Sequence, residues 1–170
     1  MSSASERPLL QAGLGDRVSL HFHGACFGSP VSEAHTRNLT SQPGHCMVLH
    51  GCNKNSRIGE LLAGLAAVIV PSLWLDNEPL TIQEAQIAGV PVITGNQGGM
   101  AELVRDGVDG LHFRLGDARD LRRVLLQVIE DPDQLQAMRS NAPQVPGIEA
   151  QSMLVRQPYL QTITAKPRLA

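Results

Sequence analysis

The feature that most constrains this chain is a series of short apolar runs that alternate with helix-like segments. Residues 67–70, 90–94 and 111–113 are continuous in apolar character and too short for buried helices, as is typical of strands in a parallel sheet. Strands that alternate with helices in this way predict βαβ units. We therefore expect an α/β fold, a Rossmann-like parallel sheet with flanking helices.

The helices between and after these runs follow from apolar spacing and from terminal residues. Pro79 suits the first turn of a helix that runs to about residue 88, and Gly89 suits its end. Asp117 and Asp120 favour a helix start just before an amphipathic segment. The complete set of predicted helices covers residues 58–66, 79–88, 100–105, 117–130, 133–140 and 148–161.

The N-terminal third has a different texture. Residues 17–22 alternate and predict a short strand, whereas residues 27–55 are rich in polar residues, Gly and Pro and show no sustained period. We interpret them as a long loop or insertion with a short strand at residues 46–50. The predicted organisation is an N-terminal strand with an irregular His- and Cys-containing insertion (1–56), a core (57–146) and a helical tail (147–170).

Charge and composition exclude several classes of protein. The net charge of −2 and the pI near 6.3 provide no basic patch for nucleic acid. No apolar run approaches the roughly 20 residues that a transmembrane helix needs. The polar N-terminus and the odd number of cysteines, 3, favour a reducing compartment. We expect a cytoplasmic protein, with peripheral attachment at the inner membrane face left open.

The helix that begins near Leu80 is the main candidate for a ligand site. In parallel sheets ligands bind beyond the carboxyl ends of the strands, here the loops after residues 70 and 94. The first backbone N–H groups of a helix are unsatisfied and its dipole is positive there, which suits a phosphate. Leu80 and Thr81 offer such amides, and the carboxylates of Asp76 and Glu84 suit the hydroxyls of sugar rings.

A purely structural interpretation of the same residues stays open. Asp76 and Asn77 are also good helix caps, and Glu84 is also an ordinary solvated helical residue. The glycines of residues 95–99 often do no more than permit a tight turn.

Four segments resemble glycosyltransferase family 4. They are VPS at residues 70–72, DNEPLTIQEA at 76–85, GVPVI at 89–93 and GGMAELVRDG at 98–107, in the family's order. The family has two carboxylates separated by seven residues. Glu84 matches the second of them, and Asp76 takes the first place as a shorter carboxylate. Glu78 lies at the wrong spacing. The strand at 17–24 resembles the family strand that precedes the helix at residue 58.

The resemblance implies the fold and the roles of the candidate residues. It implies the C-terminal, donor-binding half of a GT-B fold, in which two Rossmann-like domains face a cleft. Glu84 would bind the ribose, and Leu80 and Thr81 would contact the diphosphate through backbone N–H groups. Asp76 would hold hydroxyls of the donor sugar, with Asn77 beside the same pocket. The implied ligand is a nucleotide-diphosphate sugar, and the implied reaction is retaining hexosyl transfer without a metal or other cofactor.

The resemblance also predicts what this chain lacks. The acceptor-binding domain of such enzymes is absent from the sequence, and the cations that neutralise the diphosphate lie upstream of Arg17 in the family. We therefore expect the isolated domain to be inactive and to need a separate acceptor-binding domain or chain, and we assign no catalytic residue. A catalytically inactive, truncated GT-B domain is the first alternative.

A metal-binding interaction module is the second alternative. His21, His23, His35, His45 and His50 share the N-terminal third with all of the cysteines, Cys26, Cys46 and Cys52. Imidazole and thiolate are good zinc ligands, and His21 and His23 share a face of the predicted strand. No Cys-x-x-Cys pair and no familiar ligand spacing occurs, so we predict no metal site.

Overall fold

The computed structural model describes residues 18–23, 47–51, 54–74 and 78–164. Within these ranges β1 (Leu20–His23) pairs in parallel with β2 (Met47–Gly51). The second parallel sheet has the strand order β3-β4-β5, and its strands are β3 (Val68–Val70), β4 (Val92–Gly95) and β5 (Gly110–Phe113). The predicted α/β fold with parallel strands is confirmed.

The helices lie close to their predicted positions. A 3-10 turn, Asn55–Arg57, leads into α1 (Ile58–Ala63). The others are α2 (Leu80–Ile87), α3 (Gly98–Leu103), α4 (Ala118–Glu130), α5 (Pro132–Ser140) and α6 (Ile148–Thr164). The helix α3 starts at Gly98, two residues earlier than residue 100, the predicted start, and Gly98 has a φ of 60°, a conformation that favours glycine.

The structure corrects one assignment in the N-terminal third. The strand predicted at residues 17–22 is confirmed as β1, but the strand that directly precedes α1 is β2, whereas the resemblance assigned residues 17–24 to that place. The prediction of a strand at residues 46–50 is confirmed, and this strand lies within the segment that we interpreted as an insertion. What the sequence did not predict is the parallel pairing of this strand with β1.

Two apolar clusters cover the two faces of the three-stranded sheet. Along β4, Val92 belongs to the cluster that α1, α2 and α3 cover, and Ile93 belongs to the cluster that α4 and α5 cover. Successive strand residues point to opposite faces of the sheet. Because helices cover both faces, Val92 and Ile93 are each only 1% exposed. Helices on both faces explain why these strands are apolar throughout.

The helix α2 packs on the sheet and is joined to the end of α3 by a hydrogen bond. Ile82 and Ala85 are fully buried, and the buried Gln86 donates from Nε2 to the carbonyl of Leu103 at 2.7 Å. At the other end of the helix Gly89 has a φ of 67°, and the N–H of Val90 donates to the carbonyl of Ala85 at 2.8 Å. This Schellman-type end stops the helix and aims the chain into β4.

Candidate functional site

The carboxyl ends of β3, β4 and β5 lie side by side. Val70 pairs with Thr94, and Gly95 pairs with Phe113, so the loops that follow the three strands leave the sheet at one edge. We call this the carboxyl edge. It is the place at which parallel α/β sheets bind ligands.

Contacts between the loops hold the carboxyl edge together. The N–H of Asn96 donates to the carbonyl of Phe113 at 3.0 Å, and Asn96 Oδ1 accepts from the N–H of Leu115 at 3.3 Å. A Cβ atom added at Gly95 would lie 2.7 Å from Leu115 Cδ1, so glycine at this position permits the close approach. The glycine-rich segment, residues 95–99, thus has a structural role, because Gly95 allows the loop after β5 to approach closely.

The loop after β3 contributes exposed apolar side chains to the same edge. A Cβ atom at Gly116, beyond β5, would lie 3.7 Å from Leu73 Cδ2, so the first and third loops approach each other. Leu73 and Trp74 are 72% and 78% exposed. Ser72 Oγ accepts from the N–H of Trp74 at 3.2 Å and shapes the turn that presents them.

The N-terminus of α2 is open to a ligand among the described residues. The cap residue is Pro79, which makes no side-chain cap hydrogen bond, and the first turn contains no acidic residue. The N–H of Ile82 bonds back to the carbonyl of Pro79 at 3.0 Å. Leu80 and Thr81 precede it and are exposed. The positive end of the helix dipole is thus not neutralised from within its own first turn.

One face of α2 carries the described candidates for donor binding. Thr81 and Glu84 are three residues apart, and Leu80 and Glu84 are four residues apart, so the three share a face of the helix. Ile82, Ala85 and Gln86 form its buried face. Glu84 is half-buried. The structure therefore brings Leu80, Thr81 and Glu84 together, as the spacing predicts, whereas Asp76 and Asn77 lie outside the described residues.

Glu78, which the spacing excluded, has a partner of its own. Its Oε1 accepts from Gln83 Nε2 at 2.7 Å. This hydrogen bond engages the carboxylate beside the helix start. The sequence alone gives no sign of this pair, which depends on how the loop enters α2.

A cation that the sequence analysis did not single out lies at the carboxyl edge. Arg114 directly follows β5, and its guanidinium lies 3.1 Å from Asp117 Oδ2 and 3.8 Å from Asp120 Oδ2. The side chain of Arg114 is 69% exposed. The sequence signal that points to Arg114 is its position directly after a predicted strand. Its guanidinium already forms ion pairs with two carboxylates.

The same two carboxylates, Asp117 and Asp120, lie at the N-terminus of α4. The hydrogen bond from the Arg123 side chain and that from the backbone N–H of Arg114 hold the pKa of Asp120 below its ordinary value of 3.8. In turn, the hydrogen bond to Asp120 raises the pKa of the Arg123 guanidinium above its ordinary value. Asp117 caps the helix by accepting from the N–H groups of Arg119 and Asp120.

Two other features do not include the described candidate residues of α2. A shallow surface concavity of about 500 Å³ lies along α4, lined by Arg122, Arg123, Leu126, Gln127, Glu130 and Asp131. Of the described candidates for donor binding, Leu80, Thr81 and Glu84 do not line it. On the smaller sheet, His21, His23 and His50 place one potential ligand atom each within 4.8 Å of the others. Of the other candidate metal ligands in the N-terminal third, Cys26, His35, His45, Cys46 and Cys52 lie outside the described residues.

Comparison with known families decides where this architecture belongs. The sequence model of the family described as "Glycosyl transferases group 1" matches residues 13–145. The chain belongs to this family. The match includes the segment that we interpreted as an insertion, so the resemblance extends well beyond the residues that first indicated it.

Individual relatives align with a smaller part of this group 1 glycosyltransferase domain than the family model does. It is 35% identical over 74 residues to an Escherichia coli protein named UDP-Gal:alpha-D-GlcNAc-diphosphoundecaprenol alpha-1,3-galactosyltransferase, a match that covers 44% of this chain and 19% of the relative. It is 36% identical over 77 residues to D-inositol 3-phosphate glycosyltransferase 1 of Catenulispora acidiphila, covering 45% and 18%. The aligned segments are therefore only parts of longer proteins.

Solved structures of glycosyltransferases have the same fold. Anabaena Alr3699/HepE in complex with UDP-glucose superimposes with a TM-score of 0.69 at 23% identity, covering 96% of this chain and 46% of that chain. Sucrose-phosphate synthase from Thermosynechococcus elongatus gives a TM-score of 0.72 at 20% identity, covering 95% and 42%. The domain spans less than half the length of either. Its fold is that of the donor-binding half of a GT-B glycosyltransferase.

The described helices, α1 to α6, include no candidate for a membrane span. None of them is both long enough and apolar enough to cross a bilayer.

Proposed function

We propose that this domain binds a nucleotide-diphosphate sugar at the N-terminus of α2 and presents it for retaining transfer of a hexose to an acceptor. The observation that carries the proposal is the positive end of α2 at the carboxyl edge, which no side chain of the described residues caps, with Glu84 on the same helix face as Leu80 and Thr81. In this assignment the chain's own residues bind and orient the donor, and no metal or other cofactor takes part.

The diphosphate occupies the start of α2. The backbone N–H groups of Leu80 and Thr81 donate to phosphate oxygens. Because Thr81 lies in the first turn of the helix, its hydroxyl adds a further hydrogen-bond donor for the same phosphate. Placing two negative charges at this end of the helix is favourable because of its dipole. The same interaction stabilises the diphosphate as it leaves, which is the electrostatic part of the catalysis.

Carboxylates hold the two sugar rings of the donor. Glu84, one turn into the helix, accepts hydrogen bonds from the ribose hydroxyls. Asp76 holds hydroxyls of the transferred hexose, with Asn77 beside the same pocket, as the family resemblance implies. A carboxylate accepts two hydrogen bonds in a geometry that suits adjacent hydroxyls, so these contacts fix the orientation of the donor.

The exposed surface of α6 supports a need for a partner in catalysis. Along this helix the large apolar side chains of Ile148, Met153, Leu154, Val155 and Tyr159 are each at least 64% exposed. An exposed apolar surface of this kind is typical of an interface. We infer that an acceptor-binding domain or separate chain covers it, and that the isolated domain does not turn over.

The names of the similar proteins make a UDP-sugar the first donor to test. The Escherichia coli relative is named for UDP-Gal, and the Anabaena structure contains UDP-glucose. We infer a uridine nucleotide for this chain on that support.

Calorimetric titration of the full chain tests the proposal. We expect saturable binding of one UDP-sugar per chain, with UDP-glucose and UDP-galactose compared with GDP- and ADP-sugars in parallel. A chelator in every titration removes bound transition metals, so the result concerns the donor site alone. Absence of binding by all of these nucleotides, with a folded protein by circular dichroism, would overturn the proposal and favour the catalytically inactive domain.

A further inference from the structure

The smaller sheet brings together three histidines that are distant in sequence. His21 and His23 are two residues apart in β1 and lie on the same face of the strand. His50 belongs to β2, whose register aligns His21 with Val48 and His23 with Gly51. Val48 and His50 are likewise two residues apart, so the pairing places His50 on the face of the two β1 histidines.

An irregularity in the register places His50 between its neighbours. Phe22 aligns with Leu49 but His23 aligns with Gly51, so His50 is the extra residue of a bulge. Gly51 has a φ of 71°, which allows the chain to leave the bulge. Bulges re-aim side chains and are common beside functional sites.

The ring of His50 stacks on the rings of both His21 and His23. His21 Nδ1 lies 2.8 Å from His50 Nε2. The ring centroids of His23 and His50 are 4.4 Å apart with an interplanar angle of 5°, and those of His21 and His50 are 5.0 Å apart. One nitrogen of each ring lies within 4.8 Å of the others.

The rings are stacked with interplanar angles of 5° to 12°, so they must turn before their in-plane lone pairs converge on one ion. Imidazole nitrogens bind Zn²⁺ at about 2.0–2.1 Å, so tetrahedral ligands lie about 3.4 Å from one another. The present separations exceed that value by at most about 1.4 Å, given the 4.8 Å limit. His21 and His50 are exposed, so their rings can turn without repacking a core.

Ser19 supports one ligand from outside the cluster. Its Oγ lies 2.9 Å from His21 Nε2. When Nε2 carries the proton and donates to Ser19, the lone pair of His21 Nδ1 points toward the other rings. Histidine ligands of metals commonly donate their second nitrogen to an oxygen in this way, which fixes the tautomer.

We propose that His21, His23 and His50 bind one divalent transition-metal ion, Zn²⁺ or an ion of similar chemistry, and clamp β1 to β2. Three neutral imidazoles suit Zn²⁺ and leave a fourth position for water or another ligand. The clamp has a structural purpose, since a two-stranded sheet is marginal by itself and a metal bound only by the folded state stabilises it. The sequence analysis predicted no metal site because the spacing of the histidines follows no familiar motif.

The main competing interpretation is a stack of neutral rings joined by the hydrogen bond between His21 and His50. Such a cluster needs no ion and would keep its structure in a chelator. Binding measurements separate the two interpretations.

Metal binding by the full chain provides the test. We expect the chelator-treated protein to bind one Zn²⁺ per chain in a calorimetric titration and to show a higher Tm afterwards. Each of His21→Ala, His23→Ala and His50→Ala should weaken binding about 100-fold or more, since loss of a ligand exceeds the usual 10–100-fold cost of losing a supporting residue. His112→Gln, on the other sheet, is the matched control and should bind like the native chain.

The cysteines require a separate arm of the experiment. A variant with Cys26, Cys46 and Cys52 all replaced by serine should still bind Zn²⁺, and Co²⁺ in the native chain should show no thiolate charge-transfer band. Loss of binding in that variant while the histidine variants bind normally would overturn the proposal, as would no binding of Zn²⁺ by the native chain. Circular dichroism of each metal-free variant establishes that it is folded, so a lost signal reflects a lost ligand.

Discussion

Arg139 on α5 donates hydrogen bonds from its guanidinium to the carbonyl of Leu65, which lies 74 residues earlier in the chain. The same group reaches the carbonyls of Ala66 at 3.4 Å and Gly89 at 3.5 Å. These carbonyls belong to the segments that lead into β3 and β4. One side chain near the end of the core therefore ties together two βαβ units, including the one that contains α2.

Replacement of Arg139 should destabilise the whole core. Arg139→Met removes a charged donor from partly buried carbonyls, and hydrogen bonds from charged groups contribute about 1.5–3 kcal/mol. We expect the free energy of unfolding in urea to fall by about 2 kcal/mol. Arg156→Met, on the exposed face of α6, is the control and should change it by less than about 0.5 kcal/mol. Equal effects of the two substitutions would show that the Arg139 contacts contribute little.

Glu84 should be required for nucleotide affinity but not for folding. In the proposed site its carboxylate accepts from ribose hydroxyls, so Glu84→Ala should cost about 1–3 kcal/mol, which is about 5- to 150-fold in Kd. Calorimetric titration with the preferred UDP-sugar measures this change. Glu130→Ala is the matched control, because it removes a carboxylate from the far end of α4. A folded Glu84→Ala protein with native affinity would argue against the ribose contact.

Two glycine substitutions should change stability in opposite directions. A Cβ atom at Gly110 would collide with the carbonyl oxygen of Val92 and lie 2.5 Å from Val104 Cγ1. Because backbone cannot move aside as a flexible side chain can, Gly110→Ala should lower the free energy of unfolding by about 3 kcal/mol. Gly59 in α1 has no atom within 4 Å of an added Cβ. Gly59→Ala should therefore raise it by about 0.5 kcal/mol, and thermal unfolding of both proteins checks the signs.

Asp120 should make the stability of the domain depend on acid pH. Hydrogen bonds from Arg123 and Arg114 hold its folded-state pKa below the ordinary value of 3.8. Its stabilising contribution is therefore present above pH 3.8 and is lost as the pH falls through the lowered pKa. We expect Asp120→Asn to be less stable than the native chain at neutral pH, with the difference shrinking in acid. Asp133→Asn, an exposed carboxylate in the first turn of α5, provides the control. A difference that stays constant with pH would contradict the assignment.

Ser19 should tune the affinity of the proposed metal site without being a ligand. Because its Oγ lies 2.9 Å from His21 Nε2, Ser19→Ala should weaken Zn²⁺ binding about 10- to 100-fold. Ser19→Thr keeps the hydroxyl and should restore most of the affinity, which a merely local disturbance of the strand would not predict. Ser152→Ala on α6 serves as the control in the same titrations. Equal affinity of the alanine and native proteins would remove Ser19 from the site.

The sequence predicted the central architecture because its signals are local. The apolar runs at residues 67–70, 90–94 and 111–113 correspond to the three strands of the larger sheet. Pro79 and Gly89 correctly predicted the limits of α2. The common face of Leu80, Thr81 and Glu84 follows directly from the helical period. The roles assigned to these residues, and to Asp76 and Asn77, stay predictions until ligand binding is measured.

The sequence was less informative where structure depends on distant pairing. The resemblance assigned residues 17–24 to the strand before α1, whereas β2, which the sequence also predicted at residues 46–50, directly precedes that helix. The parallel pairing of β1 with β2 is not encoded in the local pattern of either strand. It also judged the histidines by their spacing along the chain. The register of β1 with β2 brings His50 onto the rings of His21 and His23, and no ligand motif contains that information.

Local periodicity, the residues that start and end helices, and motifs in a fixed order thus determined the fold class, the limits of α2 and the family of this chain. Tertiary structure alone decided which groups meet across long separations: Arg139 with Leu65, Leu73 with Gly116, and the three histidines with one another. The physical reason is that a helix or an apolar strand is encoded by neighbouring residues. A contact between elements depends on how the whole set of apolar faces packs at once.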